Sequence, residues 1–348
     1  MIRVLVVDDS AFIRKALARM LESDPEIRVV GSARDGIDAL EQVAKLDPDL
    51  VTLDVDMPRL DGLGALRRIM AECPRPVVMV SSLTERGAEV TLQALDLGAL
   101  DYIPKGLDGS LLDIGHIGAS LCAKVKVLGR RRPLTHATPR PPRAAVAPRP
   151  KHGPRRYLAI GASTGGPPAL QKIFSGFSRR FLAPVVVVQH MPKAFTGSFA
   201  RRLDAAGPLC VKEAETGDRL EPGKGFVAPG GSHLVVRKEG PNLTLFVTEK
   251  PAESLHKPSV DVTFRSFAEA VGHSTLAVVL TGMGSDGLEG VKSLKAAGGH
   301  ALAQEAGSCV VYGMPRAIVE AGMADEVLPI EEMVKTIEGL MEWTQRPS

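Results

Sequence analysis

One stretch in the middle of the chain limits how the rest can fold. From Gly129 to Arg156 it reads GRRRPLTHATPRPPRAAVAPRPKHGPRR, rich in proline and arginine, with no aspartate or glutamate and almost no large apolar residue. Such a segment cannot bury enough surface to offset its ordering entropy. It reads as a solvated, partly polyproline-II tether whose positive charge could also steer it to an acidic partner surface. The chain has 348 residues, so each flank is the size of an ordinary domain. The expected organisation is a first domain over 1–127, a linker over 128–155 and a second domain over 156–348.

Both flanks alternate short aliphatic runs with amphipathic stretches. In the first, strands are expected at Val4–Val7, Arg28–Gly31, Leu50–Leu53, Val77–Val80 and Leu100–Ile103, with helices such as Ala11–Leu21 and Ile37–Leu46 between them. In the second, strands are expected at Tyr157–Ile160, Pro184–Val188 and Leu276–Leu280, and Leu234–Val236 with Leu243–Val247 look like a hairpin. The predicted class is α/β: two doubly wound parallel-sheet domains, the second carrying an antiparallel hairpin. A net charge of +3 on a chain that is 44% hydrophobic calls for neither nucleic acid nor membrane as partner. No apolar run approaches the roughly 20 residues that span a bilayer, and the short apolar start is stopped by Asp8-Asp9, so a cytoplasmic protein without membrane insertion is expected. Cys73, Cys122, Cys210 and Cys309 form no C-x-x-C pair and no zinc spacing, and read as reduced thiols.

In a doubly wound sheet, functional groups gather beyond the carboxyl ends of the strands. The first strand ends in Asp8-Asp9, the third in Asp54, the fourth near Ser81-Ser82 and the fifth at Lys105. Carboxylates this close repel unless a hard divalent cation lies between them, and Mg²⁺ prefers such oxygens. A cation there also makes one carboxylate a competent phosphoryl acceptor. Lys105 could pair with the product's charge, and a serine hydroxyl could donate to it.

The second half repeats the logic with other groups. Its first strand runs into Gly161-Ala162-Ser163-Thr164-Gly165-Gly166, the next ends in His190, and LAVVLTG leads to Met283-Gly284-Ser285-Asp286. A serine on a glycine-flanked strand-to-helix turn exposes its Oγ beside backbone N–H groups that can bind an oxyanion. Taken alone, that turn is equally a phosphate-binding or helix-capping turn. Serine needs a base, and the base needs a carboxylate to fix its tautomer. Three suitable types at three strand ends of one parallel sheet make chance a poor explanation. Their order, Ser then His then Asp, differs from the Ser, Asp, His of ordinary α/β-hydrolases.

Asp8-Asp9, the run from Asp54 to Pro58, Asp61-Gly62, Ser81, Tyr102 and Lys105 make residues 1–127 resemble a response-regulator receiver domain. The resemblance implies a flavodoxin-like fold and phosphorylation at Asp54 by a cognate histidine kinase. It further implies Mg²⁺ on Asp9 and Asp54, assisted by Asp8 and the Asp56 carbonyl, and a switch formed by Ser81, Tyr102 and Lys105. Gly106 stands after Lys105 where that family usually has proline. The runs IGASTGG, VVQHMP, FVAPGG, KPSVDV, VLTGMGSDG and CVVYGMPRAI make residues 156–345 resemble the catalytic domain of chemotaxis protein-glutamate methylesterases, the CheB family. That resemblance implies Ser163 as nucleophile, His190 as base and Asp286 as orienting acid, with no cofactor at this site. Thr164 and Met283 lie where backbone N–H groups could complete an oxyanion hole. It also implies the substrate: methyl-esterified glutamates, and some glutamines, on methyl-accepting chemotaxis receptors. A DNA-binding response regulator would instead need a compact helix-turn-helix after the tether, and this second half reads as a large α/β domain.

Overall fold

The computed structural model describes residues 1–105, 111–130 and 155–341, and of residues 111–117 the backbone alone. The tether from 131 to 154 and Gly106 lie outside the described residues. The chain divides into two units, Met1–Pro148 and Arg149–Ser348.

The first unit is five βα repeats: β1 (Ile2–Val7), α1 (Ala11–Glu22), β2 (Ile27–Ala33), α2 (Gly36–Leu46), β3 (Leu50–Asp54), α3 (Gly62–Glu72), β4 (Val77–Ser82), α4 (Glu85–Asp96), β5 (Asp101–Lys105) and α5 (Leu111–Leu128). Its sheet has the order β2-β1-β3-β4-β5, parallel throughout. The strands that sit inside this order, β1, β3 and β4, are almost entirely buried, as a sheet covered by helices on both faces requires. Ser10, Asp35, Asp61 and Thr84 accept backbone N–H groups at the starts of α1 to α4, so each of the first four strands is followed by a side-chain helix start.

The second unit runs β6 (Tyr157–Ala162), α6 (Gly166–Gly176), β7 (Val185–Gln189), α7 (Lys193–Ala206), β8 (Cys210–Glu213), β9 (Lys224–Val227), β10 (His233–Glu239), β11 (Asn242–Thr248), α8 (Val260–Ala270), β12 (Thr275–Val279), α9 (Leu288–Ala296), β13 (His300–Gln304), α10 (Met314–Glu320), β14 (Glu326–Leu328) and α11 (Ile330–Leu340). Seven strands form one parallel sheet, β14-β13-β12-β6-β7-β9-β8. β10 and β11 pair antiparallel as the expected hairpin, in a sheet of their own. Strand order reverses around β6, which makes the carboxyl end of β6 the crevice where an open α/β sheet places its ligand. Arg155 already belongs to this unit. It bridges to Met341, is buried, and its guanidinium donates to the carbonyls of His273 and Gly298. Among the described residues no helix is long and apolar enough to cross a membrane.

Candidate active site and carboxylate pocket

The end of β6 turns sharply into α6, and backbone bonds hold the turn. The Ser163 N–H donates to the Thr281 carbonyl at 3.0 Å, and the Ser163 carbonyl accepts from the Gly166 N–H at 2.8 Å and from Gln189 Nε2 at 2.9 Å. Thr281 Oγ1 donates to the Thr164 carbonyl at 2.8 Å. Gly165 sits at φ +77°, and a Cβ there would lie 2.4 Å from the Cβ of Val310. Gly165→Ala is therefore expected to cost about 2 kcal/mol or more, from left-handed backbone strain plus a clash with a β-branched neighbour. Urea unfolding measures it, and a loss under about 0.5 kcal/mol would mean the turn is not under this constraint.

Register brings the next two groups to the same place. Ala162 pairs with Gln189 in β6 and β7, and the His190 N–H donates to the Ala162 carbonyl at 3.0 Å, so Ser163 and His190 follow adjacent strand ends. On the other side, Gly161 pairs with Val279 of β12. The loop after β12 passes closely over the turn: a Cβ on Gly282 would lie 2.8 Å from the Cβ of Ser163. Met283 is next in this loop and half-buried, while Thr164 in the turn is buried.

Asp286, farther along that loop, reaches back to His190: Nε2 lies 2.7 Å from Asp286 Oδ2. The same carboxylate accepts the Val260 N–H at 2.7 Å, the Asp261 N–H at 3.0 Å and the Ser259 hydroxyl at 2.9 Å. It thus sits on the amino end of α8, where unpaired N–H groups and the helix dipole favour an anion. Burial pushes the Asp286 carboxyl up, but the His190 bond and charge, with the Val260 and Asp261 amides, outweigh it and hold the acid well below the usual carboxylate range. The other ring nitrogen of His190, Nδ1, is buried and has no hydrogen-bond partner among the described residues.

Further groups complete the site, and no strand-end position marked them. The ring of His256 stacks on that of His190, with centroids 4.1 Å apart and planes 22° from parallel. Burial and the neighbouring His190 push His256 down to about 4, against Asp286, so it is neutral near pH 7. Asp261 Oδ1 accepts the N–H groups of Gly287 and Gly290 at 2.9 and 2.7 Å. Asp286 therefore caps the helix that carries Asp261, and Asp261 in turn caps the helix that follows Asp286. Ser259 and Asp261 lie in the run KPSVDV, whose place beside a site was a signal already present in the sequence.

In the first unit, Asp8, Asp9 and Asp54 offer carboxylate oxygens that all lie within 4.8 Å of one another. Lys105 Nζ stands 2.8 Å from Asp8 Oδ2 and 2.7 Å from Asp54 Oδ1, and offsets part of the repulsion. Burial pushes Asp54 up to about 6, against its bond and charge from Lys105 and with Asp8 adding to the rise. Asp54 Oδ1 also accepts the Val55 N–H at 2.7 Å, whereas Oδ2 is buried without a hydrogen-bond partner among the described residues. A buried orphan oxygen within a carboxylate trio fits a hard divalent cation and a phosphoryl group. Asp56 is exposed just beyond β3. Ser81 Oγ donates to the Gly87 carbonyl at 3.2 Å. Tyr102 is buried on β5, and burial, with Asp101, pushes its hydroxyl well up.

Comparison with known proteins bears on both units. Residues 158–337 match the family model described as CheB methylesterase, and residues 4–113 match that of the response regulator receiver domain. The protein-glutamate methylesterase/protein-glutamine glutaminase 1 of Oleidesulfovibrio alaskensis is 53% identical, over 97% of this chain and 98% of that one. The protein-glutamate methylesterase/protein-glutamine glutaminase 2 of Nitratidesulfovibrio vulgaris is 51% identical with the same coverage. The crystal structure of the Thermotoga maritima CheB methylesterase catalytic domain aligns with a TM-score of 0.52 at 41% sequence identity, over 54% of this chain and 99% of that one.

Proposed function

Because this chain belongs to the CheB methylesterase family, with a response regulator receiver domain ahead of the catalytic one, we propose that it hydrolyses glutamate methyl esters and certain glutamine amides on methyl-accepting receptors. The hydrolysis is carried out by Ser163, His190 and Asp286. The observation that carries the assignment is the polarity of the His190 ring: Nε2 is committed to Asp286, which leaves buried Nδ1, without a partner among the described residues, as the basic nitrogen of a ring that follows the strand end next to that of Ser163.

Nδ1 takes the Ser163 hydroxyl proton as Oγ bonds to the ester or amide carbon. Asp286 holds the ring in this tautomer and stabilises the imidazolium that forms. The negative oxygen of the tetrahedral intermediate falls to backbone N–H groups of the turn and the facing loop, with Thr164 and Met283 as the candidates. His190 returns the proton to the leaving methanol or ammonia. It then deprotonates a water that attacks the acyl-serine, and glutamate leaves as Ser163 regains its hydrogen.

The receiver unit sets the activity. Asp54 accepts a phosphoryl group from a histidine kinase; Asp9 and Asp54, assisted by Asp8 and the Asp56 carbonyl, would hold Mg²⁺, and Lys105 pairs with the added charge. When bound, Mg²⁺ neutralises the transferring oxygens. Ser81 and Tyr102 form the switch pair, and Ser81 exchanges its bond to the Gly87 carbonyl for one to the phosphoryl group. The bounds proposed for these parts are 1–128, 129–154 and 155–348, one residue in from the expected 1–127, 128–155 and 156–348 at each end of the tether, because Leu128 is buried in α5 and Arg155 is anchored in the second unit.

Methanol and ammonia release from methylated and unmodified receptor fragments, with and without a small-molecule phosphodonor and Mg²⁺, tests both halves. Asp54→Asn is expected to keep basal release within about twofold and to lose all response to the phosphodonor, since an amide cannot form the acyl phosphate. A phosphodonor response retained in that variant would move the acceptor elsewhere.

A further inference from the structure

The loop from Pro251 to Ser259 carries His256 onto the His190 ring, and one buried side chain on β10 ties its two ends together. His233 is fully buried. Its Nε2 lies 3.1 Å from the Pro251 carbonyl oxygen, and its Nδ1 lies 3.3 Å from the Ser259 nitrogen. A carbonyl only accepts and a backbone N–H only donates, so the ring must carry its hydrogen on Nε2 and leave Nδ1 bare. That is one tautomer of the neutral imidazole. Burial lowers the tendency of His233 to protonate; the Pro251 carbonyl and Asp286 oppose that, and Lys257 adds to it. Protonation would turn Nδ1 into a second donor facing the Ser259 N–H, and the clamp would open.

What the clamp holds bears directly on the base. Ser259 starts α8, accepting the Val262 N–H at 3.4 Å, and its hydroxyl donates to Asp286 Oδ1 at 2.9 Å. A single ring thus fixes both the residue that hydrogen-bonds the acid and the segment that lays His256 against His190. We propose that His233 is a positioning residue for hydrolysis: as a neutral bridge it closes the Pro251–Ser259 loop, and the closed loop keeps Asp286 and His256 in register with His190. The inference rests on the roles given above to His190 and Asp286. It reaches further, because His233 itself touches neither of the reacting groups.

The test uses the full chain. His233→Phe keeps a flat ring and removes both hydrogen bonds, and His233→Gln restores an acceptor and a donor on one side chain. For His233→Phe, kcat for methanol release is expected to fall about tenfold or more with KM within about twofold, as for loss of a group that orients a catalytic residue. Glutamyl endopeptidase is expected to cut after exposed Glu253 about fivefold faster or more, reporting local opening. His233→Gln should recover most of both. The proteolysis reads the loop whether or not the hydrolytic assignment holds, so the two can fail separately. A folded Phe variant with wild-type kcat and wild-type cleavage overturns the proposal. Should the Phe variant not fold, as judged by far-UV circular dichroism, the Gln variant decides. Cleavage rate and kcat moving together, both unchanged or both altered, support the clamp; one moving without the other overturns it.

Discussion

Ser163→Ala is expected to lower methanol release from methylated receptor fragments by about 10⁴-fold or more while leaving the fold intact. Removing the nucleophile of a serine hydrolase leaves only what binding and the oxyanion donors contribute, about 10³–10⁴ over water. The structure explains why the loss should be catalytic alone. The turn is held by the Ser163 N–H on Thr281 and by the Ser163 carbonyl on Gly166 and Gln189, all of which alanine keeps. Chemical unfolding should therefore agree with the wild type within about 0.5 kcal/mol. Steady-state methanol release with and without phosphodonor is the measurement. Retention of more than about a hundredth of wild-type kcat, against the loss expected for a nucleophile, would remove Ser163 from that role.

Asp286→Ala should fail in two ways at once. Catalysis falls by about 10³–10⁴ in kcat, because His190 loses the partner that fixes its tautomer and stabilises its charged form. Stability falls as well, by about 2 to 3 kcal/mol, because the amino end of α8 loses the carboxylate that accepts from Val260, Asp261 and Ser259. The pH dependence has a definite sign. The folded Asp286 carboxyl is held below its ordinary value, so its stabilisation is complete above the unfolded value near pH 4 and is lost as pH falls toward the lower folded value. The gap in unfolding free energy between wild type and variant should be widest near pH 7 and close progressively below about pH 4. Asp286→Asn separates the effects: it keeps an acceptor for α8, and so part of the stability, yet loses the charge that His190 needs. A gap that stays constant from pH 7 to pH 3 would show that the carboxylate's ionisation does not stabilise the fold.

The elements that carry the site were the legible ones. β1, β3, β6, β7 and β12 are mostly aliphatic and almost entirely buried, and such runs announce themselves without neighbours. Because the strands are parallel, reading their carboxyl ends was enough to collect Asp8, Asp9, Asp54 and Lys105 in one pocket, and to set Ser163 and His190 at adjacent strand ends of the other sheet. β8, β9 and β14 were not legible. They are short, and β8 and β9 carry charges in CVKE and KGFV, as strands at a sheet margin commonly do. β13, with the sequence HALAQ, is too rich in alanine for its composition to favour a strand. His233 and His256 escaped for another reason, as did the contacts of Ser259 and Asp261, whose run KPSVDV marks the segment but not what each residue touches. Each acts through a contact made across the fold, and no local spacing encodes that a hairpin residue will meet a loop twenty-six positions away.

The mutual capping of Asp286 and Asp261 changes what counts as the smallest portable form of the proposed catalytic centre. Anyone transplanting Ser163, His190 and Asp286 alone onto a new scaffold would bring the proposed nucleophile, base and acid, but not the reason the acid stays put. The acid loop borrows its anchor from α8, and the helix after the loop borrows its own from Asp261. Neither half is complete alone, so the graft must carry the segments from Ser259 and from Gly282 through Gly290 together. Drift in either segment should likewise be tolerated only when the other drifts with it.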